Sequence, residues 1–161
     1  MVPPPVSTAS ARATGVRFER MGLVFDFPDD WSVEVDADGA SEAGGGPSVT
    51  LVSPGGGFWT VCRHEGQDDG RRLTEAIVAQ MRSEYQDIDI EEASETIGGR
   101  LLHGYDFNFY CLDLTNTATV RTLPAPGSLH VVFCQADDRE WDRVSAVFAA
   151  MTTSLVRGLP G

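Results

Sequence analysis

Apolar side chains recur at every second position along most of this chain, and only two stretches change to a spacing of three and four. Successive strand residues point to opposite faces, so the first pattern demands a sheet with a buried face and the second an amphipathic helix. Alternation starts near Gly15, with Met21, Leu23, Phe25 and Phe27 on one side of an expected strand. Pro28-Asp29-Asp30 breaks it, because proline presets a turn dihedral and aspartate bonds its own backbone; Trp31, Val33 and Val35 resume it. This reads as strand, tight turn, strand. Val49 and Leu51 mark a third strand, Pro54-Gly55-Gly56-Gly57 a turn, and residues 58–64 a fourth strand. Leu73, Ile77, Met81 and Tyr85 then fall four apart, which predicts a helix over 71–85. Ile88 and Ile90 return to alternation, and Gly98-Gly99 turns into the longest strand, with Leu101, Tyr105, Phe107, Phe109 and Cys111 on one face. A Thr-rich strand over 114–122 precedes a last one through Leu129, Val131 and Phe133. From Asp137 a second helix with an acidic first turn presents Trp141, Val144, Phe148, Met151 and Leu155.

Hairpin-linked strands interrupted by two helices predict an α+β fold: a mostly antiparallel sheet of about six to eight strands flanked by two main helices. At 161 residues the chain supports one core. A single domain is expected over 16–157, with a disordered leader over 1–15 and a tail over 158–161. No stretch approaches the roughly 18 apolar residues of a membrane-spanning helix. The amino-terminal residues lack the apolar core of a secretory signal, and cysteines at 62, 111 and 134 are an odd number that fits no disulfide framework. The expected compartment is the cytoplasm.

Charge removes several chemistries. The 12 basic residues are all arginine against 24 acids, a net charge of −12, and lysine is absent. A P-loop lysine and Schiff-base catalysis are thereby excluded within this chain, and a nucleic-acid backbone is a poor partner. The glycine runs 44–46 and 55–57 precede strands rather than opening a helix, so they read as turns and not as phosphate loops. Cys62 and His64 share a strand face, but no repeated ligand pair accompanies them, and no third group orients a Cys-His nucleophile. No cofactor, metal or catalytic residue is expected. The acids are unevenly placed: residues 21–62 carry seven and no base, and residues 84–113 carry eight against Arg100.

The segment Phe25-Asp26-Phe27-Pro28-Asp29-Asp30-Trp31 resembles the aromatic, proline and tryptophan hairpin of the PsbP-like superfamily. Gly98-Gly99 with its aromatic-rich strand, the 129–136 strand, and a closing helix with Phe148 and Leu155 agree with it. That superfamily includes bacterial domains of unknown function related to DcrB and LpqN, Eag chaperones of type VI secretion, and a Ran-binding nuclear-import factor. The resemblance implies an α/β/α sandwich that is non-enzymatic and works as an adaptor or chaperone-like module contacting other proteins.

Candidate partner-binding residues are Asp29, Asp30 and Trp31 at the first turn, Trp59, and Asp87, Asp89 and Glu91. Trp59 is included because it and Phe58 must face opposite sides of their strand. The acids either keep sheet edges from pairing with other chains or select a protein partner with a basic surface. An alternative function is a small-molecule or lipid carrier, with a cavity between sheet and helix lined by Tyr105, Phe107, Phe109 and Trp141.

Overall fold

The computed structural model describes residues 15–37, 46–65 and 70–159, and among these described residues there are nine strands and two helices. The expected leader falls outside the described residues except for Gly15. In chain order the elements are β1 (Gly15–Arg20), β2 (Leu23–Pro28), β3 (Ser32–Asp36), β4 (Ser48–Val52), β5 (Phe58–Glu65) and α1 (Gly70–Glu84). There follow β6 (Asp89–Ile97), β7 (Arg100–Cys111), β8 (Leu114–Ala125), β9 (Ser128–Asp137) and α2 (Asp138–Arg157). Seven strands form an antiparallel sheet in the order β3-β4-β5-β9-β8-β7-β6, while β1 and β2 pair separately. The expected α+β class is observed.

Two sequence expectations fail at the first hairpin. The alternation through Met21 is not one strand: Met21 and Gly22 take φ of 58° and 75° and fold β1 back onto β2, so that Phe18 pairs with Phe25. Pro28-Asp29-Asp30 does turn, closed by Trp31 N donating to the Pro28 carbonyl at 3.2 Å. Yet β2 and β3 are not a hairpin, since they belong to different sheets. Leu23, Phe25 and Phe27 all lie on one buried face of the small sheet, and burying them requires a second layer laid on the large one.

That layer is completed by α2. Asp137 caps it, accepting the Glu140 amide at 2.9 Å, and Val144, Phe148, Met151 and Leu155 face the sheet. Glu140 is buried and accepts the Ser53 hydroxyl at 2.6 Å; Ser53 Oγ in turn accepts the Gly57 amide at 2.9 Å, which ties the β4–β5 turn to the start of α2. The hairpin, α2 and the inner face of β3, β4, β5 and β9 share one core around Trp59, Phe25 and Leu51. Leu159, just beyond the expected end of the domain, is part of it.

On the opposite face α1 lays Met81, Leu73, Ile77 and Tyr85 over Phe107, Phe109, Ala118, Val120 and Val131. The two helical layers are therefore offset diagonally. One covers mainly β3, β4, β5 and β9 and, through α2, part of β8 from one side, the other mainly β7, β8 and β9 from the other, and each face of the sheet keeps a less covered half.

Candidate interaction surfaces

The seven candidate residues do not form one site. Trp31 is buried edge-on against Phe148, ring centroids 5.8 Å apart. Trp59 is fully buried, 4.9 Å from the Phe25 ring, with its indole Nε1 donating to Thr152 Oγ1 at 3.0 Å. Both are core groups, a placement that alternation alone could not assign because it leaves open which face the second layer covers. Asp29 and Asp30 are exposed beside edge strand β3, and Asp87, Asp89 and Glu91 are exposed at the start of the other edge strand, β6. Six inter-strand steps put roughly 30 Å between those edges, several Debye lengths at physiological salt. The two acidic segments share only an end of the sheet, the end where β3, β5, β6 and β8 begin.

That end carries an excess of acids, and Arg82 in the last turn of α1 lies there too. Between the two segments lie Asp113 in the β7–β8 turn and Asp137 and Asp138 at the start of α2, with Arg139 next to them. Toward the opposite end stand Arg20, Arg63, Arg71, Arg72, Arg100 and Arg157, interspersed with Glu19, Asp36 and Glu65.

The less covered half on the α2 side is polar. Asp89, Glu91, Ala93 and Glu95 of β6 share it with Asp106 and Asn108 of β7 and with Thr117, Thr119 and Arg121 of β8. Arg121 lies at its centre, donating Nε to Glu95 at 2.7 Å, Nη2 to Asp106 at 2.8 Å and Nη1 to the Val120 carbonyl at 2.9 Å. Burial disfavours the guanidinium charge, but hydrogen bonds to Glu95 and Asp106 outweigh it and hold the group charged. Two carboxylates pair with this cation and Asp89 and Glu91 add two more on the same face, which leaves the patch negative.

The less covered half on the α1 side is a groove of about 450 Å³ between α1 and strands β4, β5 and β9. Phe58, stacked on Phe133 at 6.0 Å, forms one wall with Val131; Leu73, Ile77 and Met81 form the other; Thr50 and Thr60, hydrogen-bonded at 2.8 Å, lie on the floor with Cys62 and His64. Phe58 is thus the half-buried, groove-lining member of the Phe58-Trp59 pair. This groove is not the cavity expected from sequence. Tyr105, Phe107 and Phe109 are packed toward α1, whereas Trp141 sits on the other face against Phe148, so the four do not meet.

Thiol chemistry finds little support here. Burial, aided by the Asp36 charge, pushes the Cys62 thiol up, away from the reactive thiolate, and burial takes Cys134 up to about 12. Among the described residues no three His, Cys, Asp or Glu side chains gather as a metal site, and no helix is long and apolar enough to cross a membrane.

No protein-family model matches the chain, and neither does any curated protein sequence. Solved structures do. The cyanobacterial PsbP protein CyanoP from Synechocystis sp. PCC 6803 superposes with a TM-score of 0.58 at 18% identity, over 88% of this chain and 91% of that one. The Ran-binding protein Mog1p of Saccharomyces cerevisiae gives 0.52 at 11% identity, over 91% of this chain and 94% of that one. A Bacteroides thetaiotaomicron VPI-5482 protein gives 0.56 at 14% identity, over 92% of this chain and 48% of that one. These superpositions extend over nearly the whole chain, and the fold of this chain is the PsbP-like fold expected from the Phe25–Trp31 motif.

Proposed function

We propose that this chain is a non-enzymatic protein-interaction module of the cytoplasm that receives a partner with a basic surface on the acidic outer strands β6 and β7. The observation that carries this reading is the row of exposed acids Asp89, Glu91 and Glu95 on edge strand β6, continued by Asp106 on β7, with Glu95 and Asp106 held by Arg121 beside α2. A flat polar face fixed by a buried-stem arginine presents carboxylates without further ordering, and the net negative potential speeds encounter with a cationic partner. One structural neighbour, Mog1p, is a Ran-binding protein, which supports a protein partner for this fold as well. In pull-downs from extract of the source cell, a partner recovered by the native protein at low salt should be lost both at high salt and with Asp89→Lys/Glu91→Lys. Both residues are exposed, so the variant should remain folded. Equal recovery by native protein and variant would sink the reading.

A second reading, the small-molecule carrier, is favoured by the groove under α1, whose volume of about 450 Å³ falls within the range of ligand sites. Native mass spectrometry of protein purified without denaturant should then show a retained apolar mass. That mass should disappear on Thr60→Trp, which fills the floor; a ligand-free spectrum across independent preparations counts against the carrier.

A further inference from the structure

The β7–β8 turn puts two residues that are neither glycine nor asparagine into the left-handed region. Leu112 and Asp113 join the paired residues Cys111 and Leu114 with φ of 53° and 64°. Such two-residue turns place both central residues in the left-handed region, which is why glycine and asparagine dominate them. The β6–β7 turn uses Gly98-Gly99 and the β1–β2 turn pairs Met21 with Gly22, so among the two-residue turns of the described residues only the β7–β8 turn has no glycine at either position. Leucine in that region crowds its Cβ against a carbonyl oxygen, and nothing in the fold offsets the strain, because the Leu112 side chain is 91% exposed. Tyr110 and Leu114 beside it are 65% and 51% exposed. Leu114 pairs with Cys111, so it and Tyr110 point to opposite faces of the sheet, with Leu112 at the tip. The three make an apolar knob rather than part of a face.

The knob has an acidic collar. Asp113 is in the turn itself, Asp89 lies beside Asn108 on the neighbouring strand, and Asp138 accepts the Thr117 hydroxyl at 2.8 Å on the other side. Strain and exposed apolar surface without a folded-state return mark a site kept for binding, and the collar decides what binds. Anionic lipid would be repelled. A helix with an apolar stripe flanked by arginines satisfies both parts.

We propose that Tyr110, Leu112 and Leu114 are the apolar anchor on which a cationic amphipathic helix of a partner protein docks, with Asp89, Asp113 and Asp138 pairing its basic flanks. This rests on the basic-partner reading above and names its point of attachment.

The test uses a fluorescein-labelled amphipathic helix of leucine and arginine, its glutamate-for-arginine counterpart, and vesicles of phosphatidylglycerol. The full chain should bind the cationic helix and neither of the others. Leu112→Asn/Asp113→Gly supplies the preferred turn sequence, so it should raise the thermal midpoint by about 3 °C while weakening helix binding at least about tenfold. Leu112→Asn alone, which retains Asp113, should already show most of that loss. Undiminished binding by the double variant, with binding abolished by Asp89→Lys/Glu91→Lys, overturns the knob and leaves the acidic-face reading standing. Absence of any binding by the native protein at low salt overturns both. Comparable binding to phosphatidylglycerol vesicles overturns the choice of a protein helix.

Discussion

Trp59→Ala should lower the unfolding free energy by about 3–5 kcal/mol, the range for emptying a large aromatic site in a packed core. Typical domains are stable by about 5–15 kcal/mol, so the variant will be marginal or unfolded at growth temperature. The ring is fully buried against Phe25, and its Nε1 hydrogen bond ends on Thr152, whose hydroxyl itself donates to the Phe148 carbonyl at 3.0 Å. Removing the indole therefore opens a cavity between strand, hairpin and helix at once. Trp59→Phe retains most of the apolar contact and loses only the N–H donor, which should cost about 1–2 kcal/mol. Urea denaturation followed by far-ultraviolet circular dichroism measures both. A loss below about 1 kcal/mol for the alanine variant would contradict the core placement. Partner binding should survive in folded Trp59→Phe, which separates Trp59 from the exposed acids it was grouped with in sequence.

The second large effect is a loss of stability on mild acidification, carried by His130. This imidazole is 1% exposed on β9, on the same face as Arg63 of β5 and Leu123 of β8, and neither ring nitrogen completes a hydrogen bond. Burial pushes its pKa down to about 4, reinforced by the positive charges of Arg63 and Arg100; the Leu123 backbone and the Glu65 charge oppose the shift without cancelling it. The unfolded chain takes up the proton near pH 6.5, but the folded chain resists it until about pH 4. Between those values the unfolded state binds more protons, so stability falls as pH falls, at about 1.4 kcal/mol per pH unit. Relative to pH 7 the loss attributable to His130 should be about 2 kcal/mol at pH 5. His130→Leu removes this titration and preserves an apolar fill. The gap between variant and native stability in urea should widen by that amount from pH 7 to pH 5, whereas a gap that stays constant would show that His130 accepts its proton in the folded state.

Local pattern made much of the architecture legible. Period two announced β4, β5, β7 and β9, and the Gly98-Gly99 and Pro54–Gly57 turns lie where glycine and proline demanded them. The spacing of four and of three and four located the first helix and the start of the second to within about one residue, since amphipathic burial is read directly from side-chain spacing. The Met21-Gly22 turn escaped because Met21 continues the parity of Leu23 and Phe25, so a fold-back looks like an unbroken strand. A glycine following charged Glu19-Arg20 was the signal available. The strain at Leu112 had no signal, as neither leucine nor aspartate advertises a left-handed turn.

Acidity, the absence of lysine, the α+β class and the aromatic motif of the PsbP-like fold are properties of the sequence alone, because they depend on composition and on neighbours within a few residues. Where the acids act is not. The segments 21–62 and 84–113 each carry an excess of negative charge, but only the order β3-β4-β5-β9-β8-β7-β6 places them on opposite edges with one common acidic end. Likewise only the diagonal offset of α1 against α2 and the first hairpin decides that Trp59 is core while Phe58, its neighbour in sequence, lines an open groove. Strand order and layer coverage are set by contacts between residues far apart in the chain, which the alternation of a single strand does not encode.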